Sequence, residues 1–181
     1  MNSNIQTRFE QLISDQAELQ RKFQEQAQSM FKEITKEFFD KNPGITGVVW
    51  TQYTPYFNDG DTCEFGVNEP TFTNAPVDEL SEVRWGEYEG DADGVWACEN
   101  IHSVLESDRA YYKETADLIR AAGGVDPESC RLMATAIGSS DMENVMKAMF
   151  GDQDFELEWV SIYTFQCRRM KDFRHKRLLF V

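Results

Sequence analysis

The chain has 181 residues, 41% of them hydrophobic and 13% aromatic, which excludes a disordered chain and is enough to build the core of one domain spanning 1–181. Its formal net charge is −14, and no stretch approaches the roughly 18 consecutive apolar residues of a membrane span. Met1-Asn2-Ser3-Asn4 does not lead into a signal-peptide core, so the expectation is a cytoplasmic protein that makes no use of a membrane.

In chain order, residues 1–40 read as one long helix, since no glycine or proline occurs before Pro43-Gly44. Ile5, Phe9, Leu12, Gln16, Leu19, Phe23, Gln26 and Met30 recur at alternating spacings of four and three, the seam of a left-handed coiled coil, and Ile34 and Phe38 continue it with a small phase drift. Phe9, Leu12, Leu19, Phe23 and Met30 are therefore candidates for joining two or more chains. The alternative is that Ile34 and Phe38 dock on the following hairpin and leave a monomer.

Ile45 to Tyr53 is rich in β-branched and aromatic residues, and Cys63 to Val67 alternates. With Asp59-Gly60 between them, the spacing predicts a β-hairpin over Val48–Val67. From Asn68 to Asp93 long acidic loops are expected, with short strands near Phe72 and Arg84-Trp85. Helices follow: one ending at Gly123-Gly124, one opening at Asp126-Pro127-Glu128, and one with a capping box from Ser140 to Glu143 that ends at Gly151. Phe155 to Cys167 alternates as a long strand, and Leu178 to Val181 reads as a last one. The fold class is α+β: a long N-terminal helix, a central β-hairpin in an antiparallel sheet, and short helices in the C-terminal half.

Charge is polarised along the chain. Between Asn58 and Asp108 fourteen acids stand against Arg84 alone, a local charge of −13, whereas from Arg168 onward six bases stand against Asp172. An acidic face repels phosphate backbones, which argues against direct nucleic-acid binding through it. Cys63, Cys98, Cys130 and Cys167 lie more than thirty residues apart with no CxxC pair, a pattern of core thiols without zinc or a disulfide.

The run Trp50-Thr51-Gln52-Tyr53-Thr54-Pro55-Tyr56-Phe57-Asn58-Asp59-Gly60-Asp61, preceded by Phe38-Phe39-Asp40-Lys41-Asn42-Pro43, resembles a motif of small proteins encoded by bacteriophages and prophages. Met149-Phe150-Gly151-Asp152 resembles their second shared element, although Gln153-Asp154 stands here where a histidine often follows. The resemblance covers about a third of the chain and implies origin rather than chemistry: a phage product acting in the cytoplasm of a bacterial host.

Catalytic motifs are missing. His102 and His175 have no partnered motif, and there is no nucleophile elbow, Walker loop or dinucleotide fingerprint. No catalytic residue, metal ligand or cofactor is therefore assigned, and His102 is expected to cap or border a helix. The acidic clusters at Asn58 to Glu64 and Glu89 to Gly94 lack calcium-loop spacing.

The candidate binding residues are Tyr56, Phe57, Asn58, Asp59 and Asp61 at the hairpin turn, with Glu87, Glu89, Asp91 and Asp93 in the acidic segment. The leading expectation is an acidic interaction protein that inhibits a host nucleic-acid-handling or defence factor by mimicking nucleic-acid charge. A nucleotide-signal-sequestering protein and a carboxylate-metal enzyme are the alternatives.

Overall fold

Ser3–Lys41 forms one continuous helix, α1, as the run free of glycine and proline requires. The computed structural model describes residues 3–54, 64–76, 94–151 and 156–161. α1 is followed by strands β1 (Gly47–Tyr53), β2 (Gly66–Val67), β3 (Thr71–Thr73) and β4 (Ala97–Cys98). Four helices come next, α2 (Ile101–Glu106), α3 (Ala110–Ala122), α4 (Pro127–Ile137) and α5 (Ser140–Phe150), and then strand β5 (Glu156–Ser161). The fold is α+β.

The sheet is built around β1. β5 runs antiparallel along one edge, from Gly47↔Ser161 to Gln52↔Glu156, and β2 and β3 share the other. The register of β2 (Gln52↔Val67) and that of β3 (Val49↔Thr71) differ by one residue. Two residues of β1 thus oppose three, Asn68 to Pro70, which is a bulge in a single returning arm. Asn68 spans it, its N–H donating to Thr51 O (2.9 Å) and its Nδ2 to Thr51 Oγ1 (2.6 Å). The predicted hairpin arms are therefore paired, while the Asp59-Gly60 turn lies outside the described residues. So do Arg84-Trp85 and everything after Ser161.

β1 is buried on both faces, with Val48, Trp50 and Gln52 at 1% exposure or less and Val49 at 3%. Trp50 is a core residue, packed edge-on to Phe31 of α1 (centroids 6.1 Å) and tilted against Phe150 of α5 (5.6 Å). Gln52 lies on the same strand face. Its Oε1 accepts from Trp50 Nε1 (3.1 Å), and its Nε2 donates to Gly151 O (2.9 Å) and Met146 O (3.5 Å). A wholly buried amide thus satisfies the indole and the Gly151 carbonyl just past the end of α5, where the helix itself supplies no partner.

A second junction closes α1. Asn42, fully buried, donates from Nδ2 to Phe38 O and Ser129 Oγ (both 2.8 Å) and accepts at Oδ1 from the Asp126 N–H (2.7 Å). The end of α1 is thereby tied to the start of α4. The backbones cross closely there: a Cβ on Gly44 would stand 1.9 Å from Gly123 O, so no larger residue fits.

The other caps follow local chemistry. Asp126 accepts from the Glu128 N–H with Pro127 in the first turn, and Gly123 (φ 65) and Gly151 (φ 93) end α3 and α5. The capping box at Ser140 is corrected. The residue preceding α5 is Ser139, and its hydroxyl donates to Ala136 O at the end of α4 (2.9 Å) instead of capping α5. His102, the second residue of α2, borders the helix start without capping it; Asn100 is the cap, accepting from the Ser103 N–H.

Replacing Gln52 with leucine keeps the volume but leaves Trp50 Nε1 and the Gly151 carbonyl without their partner. The expected cost is about 2–3 kcal/mol, read as a lower midpoint of urea unfolding.

Candidate functional site

α1 carries two faces with large apolar side chains. Phe31, Thr35, Phe38 and Phe39, with Asn42 just beyond the helix, are buried against the body. Thr35 is accommodated there because its hydroxyl donates to Phe31 O (2.8 Å) within the helix. Phe38 packs on Phe72 of β3 (5.7 Å), and Gln24 and Gln28 donate to Met149 O at the end of α5 (3.4 and 2.8 Å). At 100° per residue this docked face points about 110° away from the predicted seam.

The seam is open along its whole length. Phe9, Leu12, Leu19, Phe23 and Met30 are all at least 49% exposed, as are Ile5 and Ile34. Phe38 leaves the seam for the core, as the alternative had it, whereas Ile34 stays outside, so of that pair only Phe38 docks. Ile13 adds to the stripe from its flank, 66% exposed; the four-and-three pattern passed over it.

From Asn4 to Gln26 every residue of α1 is exposed, a stretch of roughly 35 Å at 1.5 Å per residue. Exposed pairs four residues apart brace it: Gln6–Glu10, Gln11–Asp15, Glu18–Lys22 and Arg21–Glu25. Each such pair contributes only about 0.3–0.5 kcal/mol. With eight large apolar side chains at about 100 Å² of open surface apiece, the stripe amounts to on the order of 800 Å². That matches one partner's share of a standard specific interface and exceeds the largest apolar patch of an ordinary monomer.

The other feature is a cleft of about 310 Å³ lined by Glu69, Glu99, His102, Cys130, Arg131 and Thr135 among others. Its basic groups are engaged: His102 Nδ1 meets Glu106 Oε2 at 3.1 Å, and Arg131 forms a two-pronged pair with Glu128. Burial, with Glu69 nearby, pushes the Glu99 carboxyl above its ordinary value of 4.5. Burial also pushes the Cys130 thiol up to about 12, with Asp126 adding to the effect, so it is no thiolate nucleophile. Among the described residues no three His, Cys, Asp or Glu side chains come together as metal ligands.

Tyr56, Phe57, Asn58, Asp59, Asp61, Glu87, Glu89, Asp91 and Asp93 lie outside the described residues. Cys98 and Cys130 are buried free thiols; Cys63 and Cys167 are outside the described residues. No helix among the described residues is long and apolar enough to cross a membrane.

Two outcomes test this description. Because the folded Glu99 carboxyl titrates above 4.5, folding is favoured by its proton: the stabilisation is complete below the unfolded value and lost as pH rises through the folded one. Glu99→Gln should therefore raise the melting temperature at pH 7, with the gain disappearing toward pH 4. Cys98 and Cys130, both pushed up to about 12 by burial, should resist iodoacetamide at pH 8 and react once the chain is unfolded, as mapped by mass spectrometry. No protein-family model, curated protein or solved structure matches the chain.

Proposed function

We propose that the chain is a self-associating interaction protein, in which α1 joins copies along its seam and the gathered bodies present the acidic segment Asp59 to Asp108 to a basic partner. The observation that carries this reading is the open stripe from Ile5 to Ile34, separate from the face that docks on the body. An apolar surface of that size costs solubility unless it is covered. A four-and-three repeat fits another helix best.

The local charge of −13 supplies the second half of the reading. Carboxylates held on a scaffold can occupy a groove that ordinarily takes phosphates, with steered, salt-sensitive association. Gathering copies raises the effective concentration of those carboxylates. The hairpin's resemblance to phage proteins makes the partner in this reading a nucleic-acid-handling or defence factor in the cytoplasm of a bacterial host. A nucleotide-sequestering role gains no support from the cleft between Glu69, Glu99 and Arg131, whose two carboxylates would repel phosphate.

Light scattering should give a mass above that of the 20.9 kDa chain, and Leu19→Asp with Phe23→Asp should weaken association at least about 100-fold. Both side chains are exposed, so the tryptophan signal of the core should be unchanged. Wild-type protein that stays monomeric at high concentration would refute the assembly. For the acidic segment, the expected result is capture of a basic host protein that is released by raised salt and lost on neutralising Glu87, Glu89, Asp91 and Asp93 to their amides.

A further inference from the structure

The seam's flanking residues say how the copies meet. Resting on the reading of α1 as a self-association helix, we infer that two copies pair antiparallel, about a twofold axis level with Ala17-Glu18, so that Leu12 of one packs on the partner's Phe23 and Ile5 on the partner's Met30. In heptad terms Phe9, Gln16, Phe23 and Met30 occupy a, and Ile5, Leu12, Leu19 and Gln26 occupy d. The g positions beside them are Arg8, Asp15, Lys22 and Ser29, and the e positions are Gln6, Ile13, Gln20 and Ala27.

Parallel helices bring g against e. Arg8 would then meet Ile13, Asp15 would meet Gln20 and Lys22 would meet Ala27, with no charge pair anywhere. Antiparallel helices bring g against g. In the register named, Asp15 meets the partner's Lys22 and, by symmetry, Lys22 meets the partner's Asp15. Both side chains are on exposed helix surface, and their present partners, Gln11 for Asp15 and Glu18 for Lys22, are local and weak.

Charge also rejects the neighbouring registers. A slip of one heptad toward the N-terminus sets Asp15 against the partner's Asp15 and Arg8 against the partner's Lys22. A slip the other way sets Lys22 against the partner's Lys22. Only the central register is attractive, and it pairs all eight a and d residues of the seam from Ile5 to Met30.

Two further observations agree. The seam stays open through Met30, six residues beyond Gln24, where the helix is already held on the body. An antiparallel partner reaches that point with its slender N-terminal end. The same arrangement sends the two bodies, from chains of net charge −14 each, to opposite ends of the pair, well beyond the screening length of about 8 Å.

The test uses Asp15→Lys and Lys22→Asp as separate full-length variants. Each alone should weaken self-association by about tenfold, because two attractive contacts become two repulsive ones. Mixed, they should form the heterodimer in preference to either homodimer, read by native mass spectrometry. Random mixing with undiminished homodimers would overturn the antiparallel register while leaving self-association intact. A wild-type trimer or tetramer would overturn the two-copy arrangement, and a wild-type monomer would remove the reading beneath it. Circular dichroism of each variant separates lost pairing from a melted helix, and the Lys22→Asp chain, which loses Glu18 as a partner, is judged against Lys22→Gln.

Discussion

The arrangement of the body depends on one buried amide. Gln52 sits where β1, α5 and the indole of Trp50 meet, and each of its polar atoms faces a group that would otherwise be buried without a partner. Removing such a partner costs the desolvation of what is left behind, which exceeds the net gain from the bond itself. The amide therefore acts as a specification: it sets the end of α5 level with the C-terminal end of β1, where these groups are satisfied. Gln24 and Gln28 repeat the device from α1, on the carbonyl of Met149. Three glutamines from two elements thus hold the same helix end, together with the rings of Phe31, Trp50 and Phe150.

That convergence gives two distant sequence motifs a physical meaning. Trp50 and Gln52 belong to the first motif and Met149-Phe150-Gly151 to the second, almost a hundred residues later, yet they are in contact. Phe38-Phe39 with Asn42-Pro43 form the other junction, against β3 and the start of α4. The described residues of these motifs are joints of the scaffold, and what they hold in place is the direction of α1.

How much was legible in advance follows from how local each cause is. The long helix, the stops at Gly123 and Gly151 and the start at Asp126-Pro127 each depend on a few neighbouring residues, and all could be read. Ser139 and Ser140 could not be told apart by type, because the choice rests on the end of the preceding helix, where Ala136 O takes the Ser139 hydroxyl. The seam was visible as a repeat. The docked face of α1 was not, since Phe31, Thr35 and Phe38 have the same three-and-four spacing and the repeat alone does not say which face meets the body. The bulge at Asn68 to Pro70 and the cleft between Glu69, Glu99 and Arg131 depend on segments distant in sequence, and neither left a local trace.

The unbroken course of α1 has a mechanical consequence. Between Ser3 and Lys41 there is no glycine or proline at which the helix could swivel, and its last turns are fastened to the core through Phe31, Phe38 and Asn42. The exposed half is thus a strut and not a tether. Whatever seats on it is set at an angle and distance from the sheet that the core dictates, in steps of about 1.5 Å per residue. Inserting or deleting residues in the exposed half would change that spacing like the markings on a ruler, and any number that is not close to a whole number of helical turns would also turn the seam away from the direction in which the body points it.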